Sequence, residues 1–276
     1  MNLKCVMPVL VCLVLAGVKT FAQDVIVEEK KGKKLKGAFY LTWGYHRDAY
    51  SHSTIRFKDH TTDNYDFTIY NAKAKDKPDT DDFFHTPLTV PQYVVNVGYF
   101  FNDKRNLGIE VSWDHLKYVV FDDQTLRVKG NLRGQEVDQE MQVSRDFLHF
   151  EHTNGNNYLM VSLVKRMNLM HGNRFHSLDV LFKGGLGGLV PRTDSFIMGS
   201  HNDGPFRLSG YVVGASTNIR YNILQYFYLE AGVKGAFANY TDVKLLNEGR
   251  ASHHFFSIQY IGAAGINVPL AKLSSF

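Results

Sequence analysis

The densest run of reactive side chains in the sequence is His149-Phe150-Glu151-His152-Thr153-Asn154-Gly155. An imidazole, a carboxylate and a hydroxyl this close together are the parts of a nucleophilic site. A base activates an oxygen, and the carboxylate orients the base. On that reading His152 is the base and Glu151 the supporting acid. The oxygen is Thr153 at the motif itself or Ser162 further along the chain. The plainer alternative is a polar stretch at the end of a loop.

Two other patterns touch on chemistry. Histidines are frequent in the long connections and near the ends of the apolar segments, for example His46, His52, His60, His85, His115 and His201. A metal site needs three or four converging ligands. No such spacing is visible, and the adjacent His253-His254 point to opposite faces of a strand, so no metal or other cofactor is expected. The run Gly184-Gly185-Leu186-Gly187-Gly188 has no following Lys-Ser/Thr and no helix to make it a phosphate loop. Its glycines are expected to bend or thin a strand.

The elements that would position these residues follow from patterning. The chain has 276 residues, 44% hydrophobic and 21% charged, which excludes disorder and is too polar for a bundle of membrane helices. Aromatics reach 13%. The two cysteines, Cys5 and Cys12, lie in a segment that reads as a secretory signal peptide over 1–22. Lys4 precedes a short apolar run from Val6 to Val18, and Thr20-Phe21-Ala22 is a small-x-small cleavage motif. Removing Lys4 and Lys19 lowers the formal charge from +4 to +2, because the segment carries no acid. A nearly neutral exported chain offers no electrostatic footprint for nucleic acid.

After residue 22 the apolar residues alternate with period two, the mark of half-buried strands. Eight such segments lie around 37–46, 92–101, 107–119, 157–166, 175–189, 207–221, 226–240 and 254–268. Each is about ten residues or longer, enough to cross a bilayer when tilted. No proline falls inside a segment; Pro269 ends the last. Short connections at 102–106, 167–174 and 222–225 alternate with long ones at 47–91, 120–156, 190–206 and 241–253. Within the long connections, Ile55 to Phe57 with Tyr65 to Ile69, and Thr125 to Lys129 with Phe147 to Phe150, read as strand pairs that continue the sheet. A structureless loop of such length is improbable.

One face of each segment is apolar. It ends in aromatics near the boundaries, at Tyr45, Tyr93, Trp113, Tyr211, Tyr221, Phe227 and Phe237, the arrangement of an aromatic girdle. The other face is rich in glycine and carries Glu110, Asp114, Asp179, Lys183, Arg220, Glu230 and Lys234. These acids and bases are expected to pair inside a closed sheet, because an unpaired buried charge costs several kcal/mol. The fold expected is therefore all-β: an eight-stranded antiparallel transmembrane β-barrel with long extracellular loops and short periplasmic turns. Residues 23–36 form a periplasmic N-terminal segment, 37–268 the barrel, and 269–276 a short tail.

Over 37–268 the chain resembles the small eight-stranded outer-membrane barrels, the group of OmpA transmembrane domains, OmpX, OmpW and the lipid A–modifying PagP and PagL. Tyr40-Leu41-Thr42-Trp43-Gly44-Tyr45 followed by Tyr65-Asp66-Phe67-Thr68 is similar to the opening of other outer-membrane barrels. Phe276 resembles the terminal Phe of their assembly signal, although Lys272 and Ser274 stand where that signal prefers apolar residues. The resemblance implies an outer-membrane location after cleavage near Ala22. It also implies contact with outer-membrane lipids and lipopolysaccharide, handling by the barrel-assembly machinery, and loops free to meet an extracellular ligand. The principal expectation is a structural or loop-mediated interaction role with a plugged polar interior. The alternatives are a PagL-like lipid A hydrolase built on His152, Glu151 and Ser162, with Thr153 departing from that family's Ser, or a narrow small-solute channel.

Overall fold

The computed structural model describes residues 37–77, 92–101, 106–170, 176–224 and 226–270. The signal-peptide, N-terminal-segment and most of the tail assignments lie outside these residues.

In chain order the strands are β1 (Ala38–Tyr50), β2 (Ser53–Asp59), β3 (Tyr65–Ala72), β4 (Ala74–Lys75), β5 (Tyr93–Phe100), β6 (Leu107–Val120), β7 (Gln124–Leu132), β8 (Gln135–Val143), β9 (Leu148–Met170), β10 (His176–Pro191), β11 (Asp194–Ile197), β12 (Ser200–Asp203), β13 (Gly210–Ile223), β14 (Phe227–Lys244) and β15 (Arg250–Pro269). Eight of them form a ring in the order β1-β5-β6-β9-β10-β13-β14-β15, closed by β15 on β1. The closing ladder runs from Ala38↔Pro269 to Tyr50↔Ser257, antiparallel like every other pair in the ring. Closure leaves no edge in the ring, so every internal strand has two neighbours.

The ring strands are those the alternation marks, with shifted ends. β5 is shorter, at eight residues, and β9 longer, at 23. β9 begins at Leu148 and runs unbroken through the last part of the 120–156 connection into the 157–166 segment. Strand ends respond to hydrogen-bond partners, here β6 and β11, which a periodicity does not reveal.

Beyond the membrane-sized part of the ring, at its long-loop end, the sheet continues. β2 pairs with the upper end of β15 at Ile55↔His253 through Lys58↔Arg250, and β3, β7 and β8 follow in order. The Ile55–Phe57 and Tyr65–Ile69 strands pair as expected. The second expected pair does not form. Thr125 to Lys129 pairs with β8, and Phe150 belongs to β9. Glu136, Asp138 and Glu140 disguise β8 as polar loop. Its hairpin is closed by Arg133 and Gly134, both with positive φ (53° and 91°), as a two-residue turn requires.

These added strands roof the barrel with an apolar core that includes Ile55, Phe57, Phe67, Ile69, Leu116, Tyr118, Val128, Phe150, Tyr240 and Phe255, all buried. Phe150 meets Phe57 edge to face at 5.3 Å, and Tyr118 stacks on Phe255 at 4.5 Å. The interior thus changes character with height, from polar in the ring to aromatic in this dome.

Candidate functional site

The outside of the ring is apolar. Leu163 and Leu186 are each 68% exposed, and Trp43, Val111, Leu159, Val213, Ile219 and Leu229 also face outward uncovered. Water would oppose such a surface, since soluble monomers rarely expose a large contiguous apolar face. Trp113, Tyr211, Tyr221 and Phe227 stand at the ends of this band, exposed. Tyr93 meets Trp113 edge to face at 5.7 Å, and Phe237 meets Phe256 at 4.9 Å. Tyr45 is half-buried on the same outer face of β1.

The inside is ionic. Lys183 Nζ, on β10, lies 2.8 Å from Glu110 Oε2 on β6 and 3.1 Å from Glu230 Oε1 on β14. Arg220, directly opposite Glu230 in the β13–β14 ladder, donates from Nε to Glu230 Oε2 at 2.8 Å. Its guanidinium is sandwiched by the Tyr228 ring at 3.9 Å and the Tyr40 ring at 4.6 Å. Tyr40 Oη donates to Glu110 Oε2 at 2.9 Å, and Asn218 donates to Glu230 at 2.8 Å. A second layer joins Lys234 of β14 to Asp114 of β6. Asp179 sits apart, nearer the short-turn end, and accepts from Asn168 and Asn222 at 2.8 and 2.7 Å. The seven charges named from sequence thus divide into a four-residue cluster, a pair and one acid held by amides.

The chain is a small membrane-spanning β-barrel.

The barrel's tyrosines were missed as site residues, although alternation placed Tyr40 on the inner face. Each lies over a glycine of a neighbouring strand. A Cβ at Gly98 would meet the Tyr40 ring at 2.0 Å, and one at Gly265 the Tyr228 ring at 2.2 Å. Glycine on the lumen face is how a narrow barrel admits an aromatic ring beside a guanidinium. A cavity among Asn96, Ser112, Ser162, Ser216 and the two ionic layers measures ≈ 20 Å³, room for roughly one water.

The sequence candidates for catalysis do not come together. Ser162 lines the lumen cavity. Glu151 and His152, adjacent on β9, project to opposite faces, as strand neighbours must. His152 points into the dome core, fully buried. Its Nδ1 is 2.9 Å from Thr193 Oγ1 and its Nε2 3.2 Å from His253 Nε2. Burial holds the His152 imidazole down at about 3, so it is neutral. Glu151 instead lies on the opposite face of β9, buried beneath neighbouring side chains, and accepts from Thr153 Oγ1 at 2.5 Å. His149 lies between Glu151 (3.4 Å) and Asp122 (2.7 Å), and Lys77 Nζ is 3.8 Å from Glu151. Burial works against the Glu151 carboxylate, but hydrogen bonds from His149 and Thr153, with Lys77 nearby, outweigh it and hold the group at about 2. The hydrogen bond to Glu151 raises the His149 pKa against its burial, with Asp122 adding to the rise. An imidazolium between two carboxylates is an electrostatic latch and cannot accept a proton. Among the described residues no three His, Cys, Asp or Glu side chains converge as metal ligands.

The latch has a signed pH dependence. His149 has its pKa raised on folding, so its contribution is complete below the unfolded value near 6.5 and is lost as pH rises through the folded value. Protease resistance of the dome is expected to fall as pH rises from neutrality, and His149→Gln to flatten that part of the profile. At acid pH the sign reverses. His152 and His253, held neutral by burial, withdraw stability below about 6.5.

Several solved structures are similar to this chain. Ail of Yersinia pestis is 11% identical (TM-score 0.28), covering 82% of this chain and 99% of its own. Neisserial surface protein A is 11% identical (TM-score 0.33), with 84% and 98% covered. The outer membrane protease OmpT from Escherichia coli is 7% identical (TM-score 0.26), with 87% and 99% covered. No protein-family model and no curated protein matches the sequence.

Proposed function

We propose that this barrel resides in the outer membrane and serves as a structural and interaction protein, its dome facing outward and its lumen closed to solutes. The observation that carries this reading is the lumen itself. Lys183 bridges Glu110 and Glu230 across it, the cavity beside this cluster is ≈ 20 Å³, and an aromatic core roofs it. The short-turn end lies in the periplasm, and the mature chain begins near Gln23. Lipopolysaccharide surrounds the upper aromatic belt, and the barrel-assembly machinery inserts the chain.

The purified barrel reconstituted in planar bilayers is expected to give no ion conductance above the bare membrane. Steady unit conductance events would overturn the closed-lumen reading. Fractionation is expected to place the chain with outer-membrane proteins, in a heat-modifiable form on gels. Recovery as a soluble periplasmic monomer would overturn the location.

A further inference from the structure

We propose that β8 is an open docking edge that takes up an extended basic segment of a partner protein as one more antiparallel strand. The proposal rests on the dome being the interacting part of the molecule and names the kind of partner it fits. β8 terminates its branch of the sheet. Among the described residues it pairs with β7 alone, over nine residues from Gln135↔Leu132 to Val143↔Gln124 without a bulge.

The turn decides which backbone groups are free. Arg133 and Gly134 make a two-residue hairpin loop, and the residues flanking such a loop, Leu132 and Gln135, form a hydrogen-bonded pair. Gln135, Val137, Gln139, Met141 and Val143 therefore direct their N–H and C=O groups at β7. Glu136, Asp138, Glu140 and Gln142 direct theirs at the open edge. Such a row is the template on which strand addition works. Edges that must stay single are guarded by proline, by a bulge, by a charge pointing inward or by charge along the edge. β8 has only the last, and a row of acids repels an acidic strand while leaving the edge open to a basic one. Its inward side chains Val137 and Met141 are half-buried against the dome core, and all its charge lies on the outer face.

That charge selects the occupant. Glu136, Asp138 and Glu140 are exposed and share one face. Asp138 is already held by Arg127 at 2.7 Å and Lys129 at 3.3 Å. A strand paired to the edge sets its side chains directly opposite these acids, where opposite charge is favourable and like charge unfavourable. A second copy of β8 would face carboxylate with carboxylate. A segment alternating Lys or Arg with apolar residues meets the acids on one face and extends the cover over Val137 and Met141 on the other.

The test uses the full-length barrel in detergent micelles and a fluorescent nine-residue peptide alternating lysine with valine, beside a glutamate–valine control. Glu140→Pro removes a donor from the open edge while leaving the β7 ladder intact. Glu136→Gln with Glu140→Gln removes charge alone. The lysine peptide is expected to bind, to bind Glu140→Pro at least tenfold more weakly, and to lose part of its salt dependence on the double variant. It should also slow amide exchange at Glu136, Asp138, Glu140 and Gln142 of the wild type, a readout that survives if the proline variant fails to fold. Failure of the lysine peptide to bind, equal binding of the glutamate peptide, or no slowing at those amides would overturn the proposal. Absent conductance and normal fractionation would still leave the closed-barrel reading standing.

Discussion

Lys183→Met is expected to destabilise the barrel by about 3–5 kcal/mol, the cost of breaking a buried ion pair from one side. The side chain sits between Glu110 and Glu230 with almost no exposure, and its removal leaves two carboxylates facing the single cation Arg220. Methionine is close in volume, so the loss is electrostatic and not one of packing. Adding Glu110→Gln returns the cluster to one acid and one base, and the double variant is expected to recover at least half of the loss. Urea unfolding in detergent, followed by tryptophan fluorescence and by gel mobility, measures both. A Lys183→Met barrel as stable as the wild type would show that the lumen network contributes nothing to holding the ring together.

Phe150→Ala is expected to cost about 3–5 kcal/mol, the range for emptying a buried aromatic site, with the loss falling on the dome. Phe150 is fully buried and packs edge to face on Phe57 at 5.3 Å and on His152 at 4.9 Å. The ring is closed by its own backbone ladders, whereas β2, β3, β7 and β8 depend on this core for their inner face. Limited proteolysis should therefore cut the variant in the β2–β3 and β7–β8 hairpins while the gel mobility of the folded barrel persists. Unfolding of dome and ring together would show instead that the two are one cooperative unit.

The contrast between these two substitutions follows how differently ring and dome are written in the sequence. In the ring, an apolar residue must face lipid at every second position, so Phe39, Leu41 and Trp43 mark Tyr40 and Thr42 as interior without any knowledge of neighbours. In the dome, one face meets water and the other a small core. β8 satisfies that with only Val137, Met141 and Val143, too sparse a signal to separate from loop. The same limit applied to Glu151 and His152. Side-by-side placement in sequence suggested cooperation, but strand geometry sends neighbours to opposite faces. The acid that His149 meets across the chain, Asp122, lies 27 positions earlier.

What the sequence determined by itself is the sidedness of the barrel: eight alternating segments, the apolar belt outside, and the acids and bases inside. Alternation is a property of a single extended strand and needs no partner to be read. What only the tertiary structure decided is which groups meet. Lys183 reaches Glu110 across 73 positions and Glu230 across 47, because ring closure and register bring β6, β10 and β14 to one level. Those are relations between strands, and no one segment carries them.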